Sequence, residues 1–425
     1  MAGRVYYPRS RVILDILFED FAGGAGEAIH IIDAVPVEVE VVRNHHREAD
    51  TAKIEIEYSD FPIDPRTLRA VRVIVLLGSV AEPTDQLDAS NPDHRVFLGF
   101  VDEPQTVLSG DGDRVKLEAR DATALFLDYA WPTGAAINID STLAVIVYGI
   151  QAQVPGAGGM PVEIVAGSAS INVGEKLGRT KWAPQKGDDA WTVLVELCGL
   201  LGLVPVVELD KLRIIDAAAV QTATPARFVY GQNLEQLTYR RRLVESRSSQ
   251  ILVRCWDEQK RERREAIYPP SPEVAKKIVG YDGKIADVDA PQVPYYVSGS
   301  FTQADLDALA ESIYEEAARN QIEGELQTRD MQDLDEAVDL WKAKNGDRMA
   351  VTLGRGEQAA IEGRTDGEAL LYLVHHGWKI EAARAYIEAL RTAEGAAVNF
   401  YTRRAVHRWA RADGYQARIE FVNYV

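Results

Sequence analysis

Between Val35 and Ala119 lie several short runs in which apolar and polar residues alternate, and this rhythm constrains the fold more than any other feature of the chain. Val37–Val42 reads VEVEVV, Ala52–Tyr58 reads AKIEIEY and Val115–Ala119 reads VKLEA. Period two is the mark of strands with one wet face. Val71–Leu77 is an apolar run of strand length, as expected of a strand covered on both faces. Val96–Val101 and Gln105–Leu108 add two further short strands. The connectors SDFPIDP, ASNPDH and SGDGD are rich in the residues that make turns. Strands at this spacing predict an antiparallel barrel or sandwich. Residues 1–34 are assigned to an N-terminal arm; Val12–Leu17 and Ile29–Ile32, separated by a Gly-rich loop at 23–26, leave a hairpin equally open.

Beyond residue 130 the pattern changes. Trp191, Leu194, Val195, Cys198 and Leu201 recur three or four apart and predict an amphipathic helix over Ala190–Leu201, ended by Gly202. Leu203–Glu208 and Lys211–Ile215 predict a hairpin after it. Ser141–Gln153 reads as a helix capped by Ser141, and Val162–Ala166 and Ser170–Val173 as short strands. A second β region begins at Phe228, with strands over Leu234–Arg242 and Gln250–Asp257. The charged Glu258–Ala266 reads as an exposed strand end or loop, and 268–292 as a long excursion. Tyr295–Phe301 is a strand, Thr302 caps a helix with Asp305 in the capping-box place, and Glu323–Thr328 and Arg348–Leu353 are strands. Asp366–His375 and Lys379–Thr392 are helices, and Tyr415–Val425 closes a sheet.

Composition sets the outer limits. At 425 residues there is room for two to four domains, and a 46% apolar fraction supports real cores. The net charge of −18 argues against a general grip on nucleic acid, which needs clustered Lys and Arg. It fits a surface that must not hold a passing polyanion, and equally an ordinary acidic protein. Cys198 and Cys255 sit in apolar runs without C-x-x-C spacing, so neither a disulfide framework nor a zinc site is expected. The N-terminal MAGRVYYPRSRVILDILFED carries acids inside its apolar stretch and does not read as a signal peptide. No run reaches the roughly 18 apolar residues of a membrane span, so stable membrane insertion is not expected.

No phosphate loop, dinucleotide fingerprint, H-E-x-x-H or G-x-S-x-G motif occurs. His45-His46 and His375-His376 are adjacent pairs, which diverge instead of sharing a face. Acid pairs such as Glu55 with Glu57 and Glu118 with Asp121 read as solvated faces. Catalytic residues, a metal site and cofactors are therefore not expected. The basic features are Arg240-Arg241-Arg242, Arg254 and the cluster Lys260–Arg264. On an acidic background the arginines suit carboxylate pairs at a subunit interface, or a solvated edge, better than DNA.

Read in order, Trp191–Leu201, Leu212-Arg213-Ile214, Phe228 with Gly231-Gln232-Asn233-Leu234, Leu237, Arg241, Leu243, then Ile251-Leu252-Val253 and Asp257 resemble bacteriophage tail hub proteins of the late control protein D class. Tyr296–Phe301, the helix after Thr302, Glu323-Gly324-Glu325-Leu326 and Asn345-Gly346-Asp347 continue the likeness. In the first half, Val96–Asp102 followed by Val115–Asp121 looks like the tube-type barrel of that family. The likeness spans roughly 35–425 and is carried by order, not by one signature.

The resemblance implies a β-rich α+β chain: two tail-tube-like antiparallel β-barrel domains joined by a small α/β insert. The expected segments are 1–34 for the arm, 35–130 for the first barrel, 131–225 for the insert and 226–425 for the second barrel. It implies a non-enzymatic homotrimer in the tail of a phage or contractile injection system, assembled in the bacterial host cytoplasm. Three copies would present six barrels, matching a sixfold tail tube protein above to a threefold spike protein below. Further partners would be other baseplate or tape measure proteins, with DNA only as transiting cargo. A tail-associated cell-wall hydrolase or glycosidase is the alternative.

Overall fold

The computed structural model describes the chain outside residues 1–6, 21–25, 45–46, 89, 111, 178–180, 217–224, 230–232, 242–249, 258–260, 271–275, 280–283, 289–291, 299–302, 320–321, 334–336, 353–364, 392–396 and 424–425. The alternating runs form the strands their period predicts. β1 (Tyr7–Asp20), β2 (Gly26–Ala34), β3 (Glu38–Arg43), β4 (Thr51–Glu57), β5 (Leu68–Val80), β6 (Arg95–Val107) and β7 (Arg114–Asp121) are antiparallel neighbours in the order β3-β4-β7-β6-β5-β1-β2. Val39, Val41, Ile54, Ile56, Val115 and Leu117 point to one core, and the intervening acids and bases face outward. β5 has apolar residues buried on both faces, Val73 and Val75 toward that core and Ile74 and Leu76 away from it. Of the hairpin and the arm, the described part of 7–34 is the hairpin. β1 pairs with β2 from Val12 to Asp20 and with β5 from Tyr7 to Phe18, placing Val12, Leu14 and Ile16 in the core. The two short strands expected at 96–108 are one continuous β6, bent by a register shift between Val101 and Glu103.

The segment after β7 has its own core. It holds α1 (Thr123–Leu127), β8 (Ile137–Asn138), α2 (Leu143–Gln153), β9 (Val162–Ile164), α3 (Val173–Leu177), β10 (Lys181–Trp182), α4 (Ala190–Gly199), β11 (Leu203–Glu208) and β12 (Lys211–Asp216). Asp189 caps α4, accepting the Thr192 N–H at 2.8 Å, and Gly202 has φ 72°, a value suited to glycine. Trp191, Leu194, Leu197 and Cys198 bury the helix stripe against β11 and β12. Ser141 does not cap α2. The helix starts after Thr142, and backbone carbonyls of Ile171 and Ala169 take the first N–H groups of Leu143 and Ala144. Of Ser170–Val173, Val173 opens α3 and is not a strand residue; Asn172 accepts the Glu175 N–H there.

The remaining elements are β13 (Ala226–Val229), β14 (Gln236–Arg241), β15 (Gln250–Asp257), β16 (Glu262–Tyr268), β17 (Lys276–Val279), β18 (Ile285–Val288), β19 (Gln292–Ser298), α5 (Gln303–Arg319), β20 (Ile322–Thr328), β21 (Arg348–Thr352), α6 (Asp366–His375), α7 (Ile380–Arg391), β22 (Ala397–Ala410) and β23 (Gly414–Asn423). The charged 262–266 stretch is strand, paired along β15, and the 268–292 excursion contains the β17–β18 hairpin. Thr302 lies outside the described residues, as does the side chain of Asp305.

β22 has no counterpart in the sequence reading, and it organises the molecule. It pairs with β3, β21 and β23, so the large sheet runs β14-β20-β23-β22-β3 and onward through the first strands to β2. One end of the β22–β23 hairpin sends Trp409, Tyr415 and Ala417 into the first core. The other end sends Phe400, Ile419 and Phe421 into a second core with Phe228, Leu326, Met349 and Val351. One rigid ribbon is thus shared by both β bodies.

Glycine marks two close strand approaches. A Cβ on Gly99 would lie 2.2 Å from the Arg120 carbonyl oxygen, and one on Gly324 would lie 2.4 Å from that of Thr238. Gly99→Ala is expected to destabilise the fold by about 1–3 kcal/mol through forced backbone displacement. Urea unfolding reads this, and an unchanged midpoint contradicts it.

Candidate functional site

The arginines expected at a subunit interface are separated by the fold. Arg240 sits on β14 opposite Glu323 of β20 and pairs with its carboxylate, leaving the Arg240 side chain 73% exposed. It lines an open groove of about 1010 Å³ with Arg403, Arg404, Glu325 and Glu420. Arg254 lies on a different sheet, β16-β15-β19, with its Nε 3.6 Å from Glu265 and Nη1 donating to the Tyr296 hydroxyl at 3.3 Å. The Arg241 side chain and Arg242 fall outside the described residues.

Of the acids singled out as pairs, Glu55, Glu57 and Glu118 are each set against cations. Glu55 is held by Arg114 at 2.9 Å and by Lys116; burial alone would raise its pKa, but these bonds bring it below the ordinary range. Glu57 pairs with Arg411, and Glu118 lies 3.8 Å from Lys53. His376 Nδ1 is 2.8 Å from the Tyr372 carbonyl, while His45 and His46 lie outside the described residues. Among the described residues, no group of three His, Cys, Asp or Glu could hold a metal. Cys198 and Cys255 are free and buried, and burial pushes the Cys198 thiol up to about 12.

The most concentrated chemistry is a polar joint where the first sheet, the α/β segment and the turn before β21 meet. A cleft of about 50 Å³ is lined by Arg43, Asp50, Asp121, Trp191, Glu208 and Lys344, among others. Arg43, at the end of β3, places Nε 2.8 Å from Asp50 Oδ2, and its Nη1 donates to the Val96 carbonyl at 2.7 Å. The Asn44 N–H donates to Asp50 at 2.7 Å, and the Arg404 Nε donates to the Asn44 side chain at 3.1 Å. Asp121 accepts the Thr123 N–H and hydroxyl, both at 3.1 Å. Burial raises the pKa of Asp50 and raises that of Asp121 well above normal, with the Asp50 charge adding to the latter.

Glu208, at the end of β11, receives both Lys344 and Arg213. Burial opposes its ionisation, but these two cations outweigh it and hold the carboxyl down to about 2. The Lys344 N–H donates to Asp347 at 2.9 Å, closing the Lys344–Asp347 turn with Gly346 at φ 90°. Behind the turn lies His407 of β22, fully buried. Its Nε2 is 2.9 Å from the Ala343 carbonyl and its Nδ1 is 2.9 Å from the Tyr415 hydroxyl. A carbonyl only accepts, so Nε2 carries the proton and Nδ1 accepts from Tyr415. Burial lowers the His407 pKa to about 4. These directional bonds tie the α/β segment, the first sheet and the turn before β21 to one another. The turn at 344–347 was legible in sequence; Arg43 and Asp50, seven residues apart across the β3–β4 connection, match no motif, and Glu208 and His407 join them only through contacts between elements far apart in the chain.

No protein-family model matches the sequence, and no curated protein sequence matches it. Solved structures do. A tail protein from Neisseria meningitidis MC58 superposes with a TM-score of 0.57 at 13% identity, over 98% of this chain and 97% of that one. The 43 kDa tail protein of prophage MuSo2 from Shewanella oneidensis gives 0.56 at 13% identity, over 97% of this chain and 98% of that one. The chain has the β-rich α+β fold of these tail proteins across nearly its full length, as the resemblance implied.

Proposed function

We propose that the chain is a structural hub of a phage tail or related injection machine. It forms a trimeric ring that joins a sixfold tube to a threefold spike and lets DNA or other cargo pass. The observation that supports this reading most is the near end-to-end likeness to two tail proteins, one of them from a prophage, with both chains covered almost completely. The architecture suits the role: two β bodies locked by one hairpin and one polar joint are the rigid double unit that a ring needs in order to close. The acidic balance of −18 suits a lumen that does not retain a polyanion; a basic lumen in a particle reconstruction would sink that part.

Native mass spectrometry is expected to show a trimer, and a peptidoglycan zymogram no clearing. A monomer that clears the gel would favour the hydrolase alternative. Replacing Arg240, Arg241 and Arg242 together by alanine is expected to weaken the trimer. An unchanged trimer would move the interface away from β14.

A further inference from the structure

The sheet β16-β15-β19 has one face packed under α5; on the other Leu252 is buried, while Trp256 and Tyr296 stand exposed. Ile251, Val253, Cys255 and Ala266 pack under α5 against Leu306 and Ala310. The opposite face carries the cross-strand rows Ile267, Leu252 and Pro294; Glu265, Arg254 and Tyr296; and the pair Arg263 and Trp256. Tyr296 is 75% exposed and Trp256 is 54% exposed. Arginine between Trp and Tyr is the composition that concentrates binding energy at protein interfaces. The sheet face carries Arg254 and Arg263 against one carboxylate, Glu265.

The helix on the other side has the reverse character. Asp307, Glu311 and Glu315 recur four apart along α5, and no Lys or Arg precedes Arg319 in that helix. Asp307 and Glu311 are exposed. Glu311 also accepts the Tyr268 hydroxyl, which steadies it at the helix surface. The unit therefore shows an arginine-aromatic face in one direction and an acidic stripe in the other.

We propose that these two faces bind each other between copies of this chain. Arg254, Arg263, Trp256 and Tyr296 of one protomer receive the Asp307–Glu311–Glu315 stripe of the next. Unlike faces meeting head to tail give a heterologous contact, which closes into a ring when the rotation permits. The proposal rests on the ring reading above and names its contact surface. Opposite charge across the contact would also orient the approach of the two copies.

Charge reversal tests it in the full chain by native mass spectrometry and sedimentation, with circular dichroism as the control for folding. Arg254→Glu with Arg263→Glu is expected to weaken association about 100-fold or more. Asp307→Lys with Glu311→Lys should do the same, and the fourfold variant should recover most of the loss. A wild-type trimer unchanged by either pair overturns this contact and leaves the ring reading standing. A wild-type monomer overturns both. Loss without recovery in the fourfold variant overturns the pairing of these faces. A second measurement avoids reversed charges: Tyr296→Cys with Glu311→Cys places thiols on opposite sides of one unit. Mild oxidation should then give disulfide-linked multimers on a non-reducing gel, and their absence overturns the proposal.

Discussion

The unfolding free energy is expected to fall by about 3 kcal/mol as the pH drops from 6.5 to 4 on account of His407, and His407→Gln is expected to abolish that contribution. The sign follows from the depressed pKa. Above 6.5 the imidazole is neutral in both states. Between 6.5 and about 4 the unfolded chain takes up a proton that the folded chain refuses, so stability is lost as pH falls. Below about 4 both states are protonated and the loss levels off. Burial is the main cause; the Ala343 carbonyl pulls the pKa up and the Arg43 charge pushes it down. Asp50, Asp121 and Asp347 act oppositely, since their raised pKa values give stability that is lost as pH rises. The informative quantity is therefore the difference between wild type and His407→Gln in urea unfolding across this range. Parallel profiles would refute the assignment.

Arg43→Met is expected to cost about 3–5 kcal/mol, the usual cost of removing one partner of a buried ion pair. The side chains of Arg43 and Asp50 are only 10% and 16% exposed. Losing the guanidinium strands the Asp50 carboxylate, frees the Val96 carbonyl and leaves Asp121 beside an uncompensated charge. Arg43→Met combined with Asp50→Asn removes both charges and should recover a large part of the loss, because a missing pair costs much less than a broken one. Urea unfolding of the two single variants and the double variant measures the coupling. Additive losses would show that the pair does not act as a unit.

How far each element could be read from the sequence follows from how it is buried. β3, β4 and β7 each have one wet face, so their alternation was plain, and α4 announced itself by its stripe. β22 did not. Phe400, Tyr401 and Thr402 are consecutive buried residues, as are Ala405, Val406 and His407. A register shift between Thr402 and Arg404 breaks the period further. A strand with neighbours on both edges and cover on both faces loses the pattern that reveals strands. The candidate site divides in the same way. Arg240 and Arg254 were visible as charges, yet nothing local told which sheet each would join. The polar joint was invisible because its local pairs, such as Arg43 with Asp50, match no motif, and the rest are brought to them by pairings such as β3 with β22.

That last pairing also sets when the molecule can become complete. The Arg408 guanidinium meets Glu38 at 2.6 Å although 370 positions separate them. A ribosome reading the message has finished β1 to β7 long before it reaches Trp409 and Tyr415, which fill their core. Until those residues emerge, the first body lacks part of its interior and β3 presents an unpaired edge. The second body waits for the same ribbon, through Phe400 and Phe421. Synthesis and maturation are thereby coupled: a nascent chain interrupted before β22 lacks part of both cores.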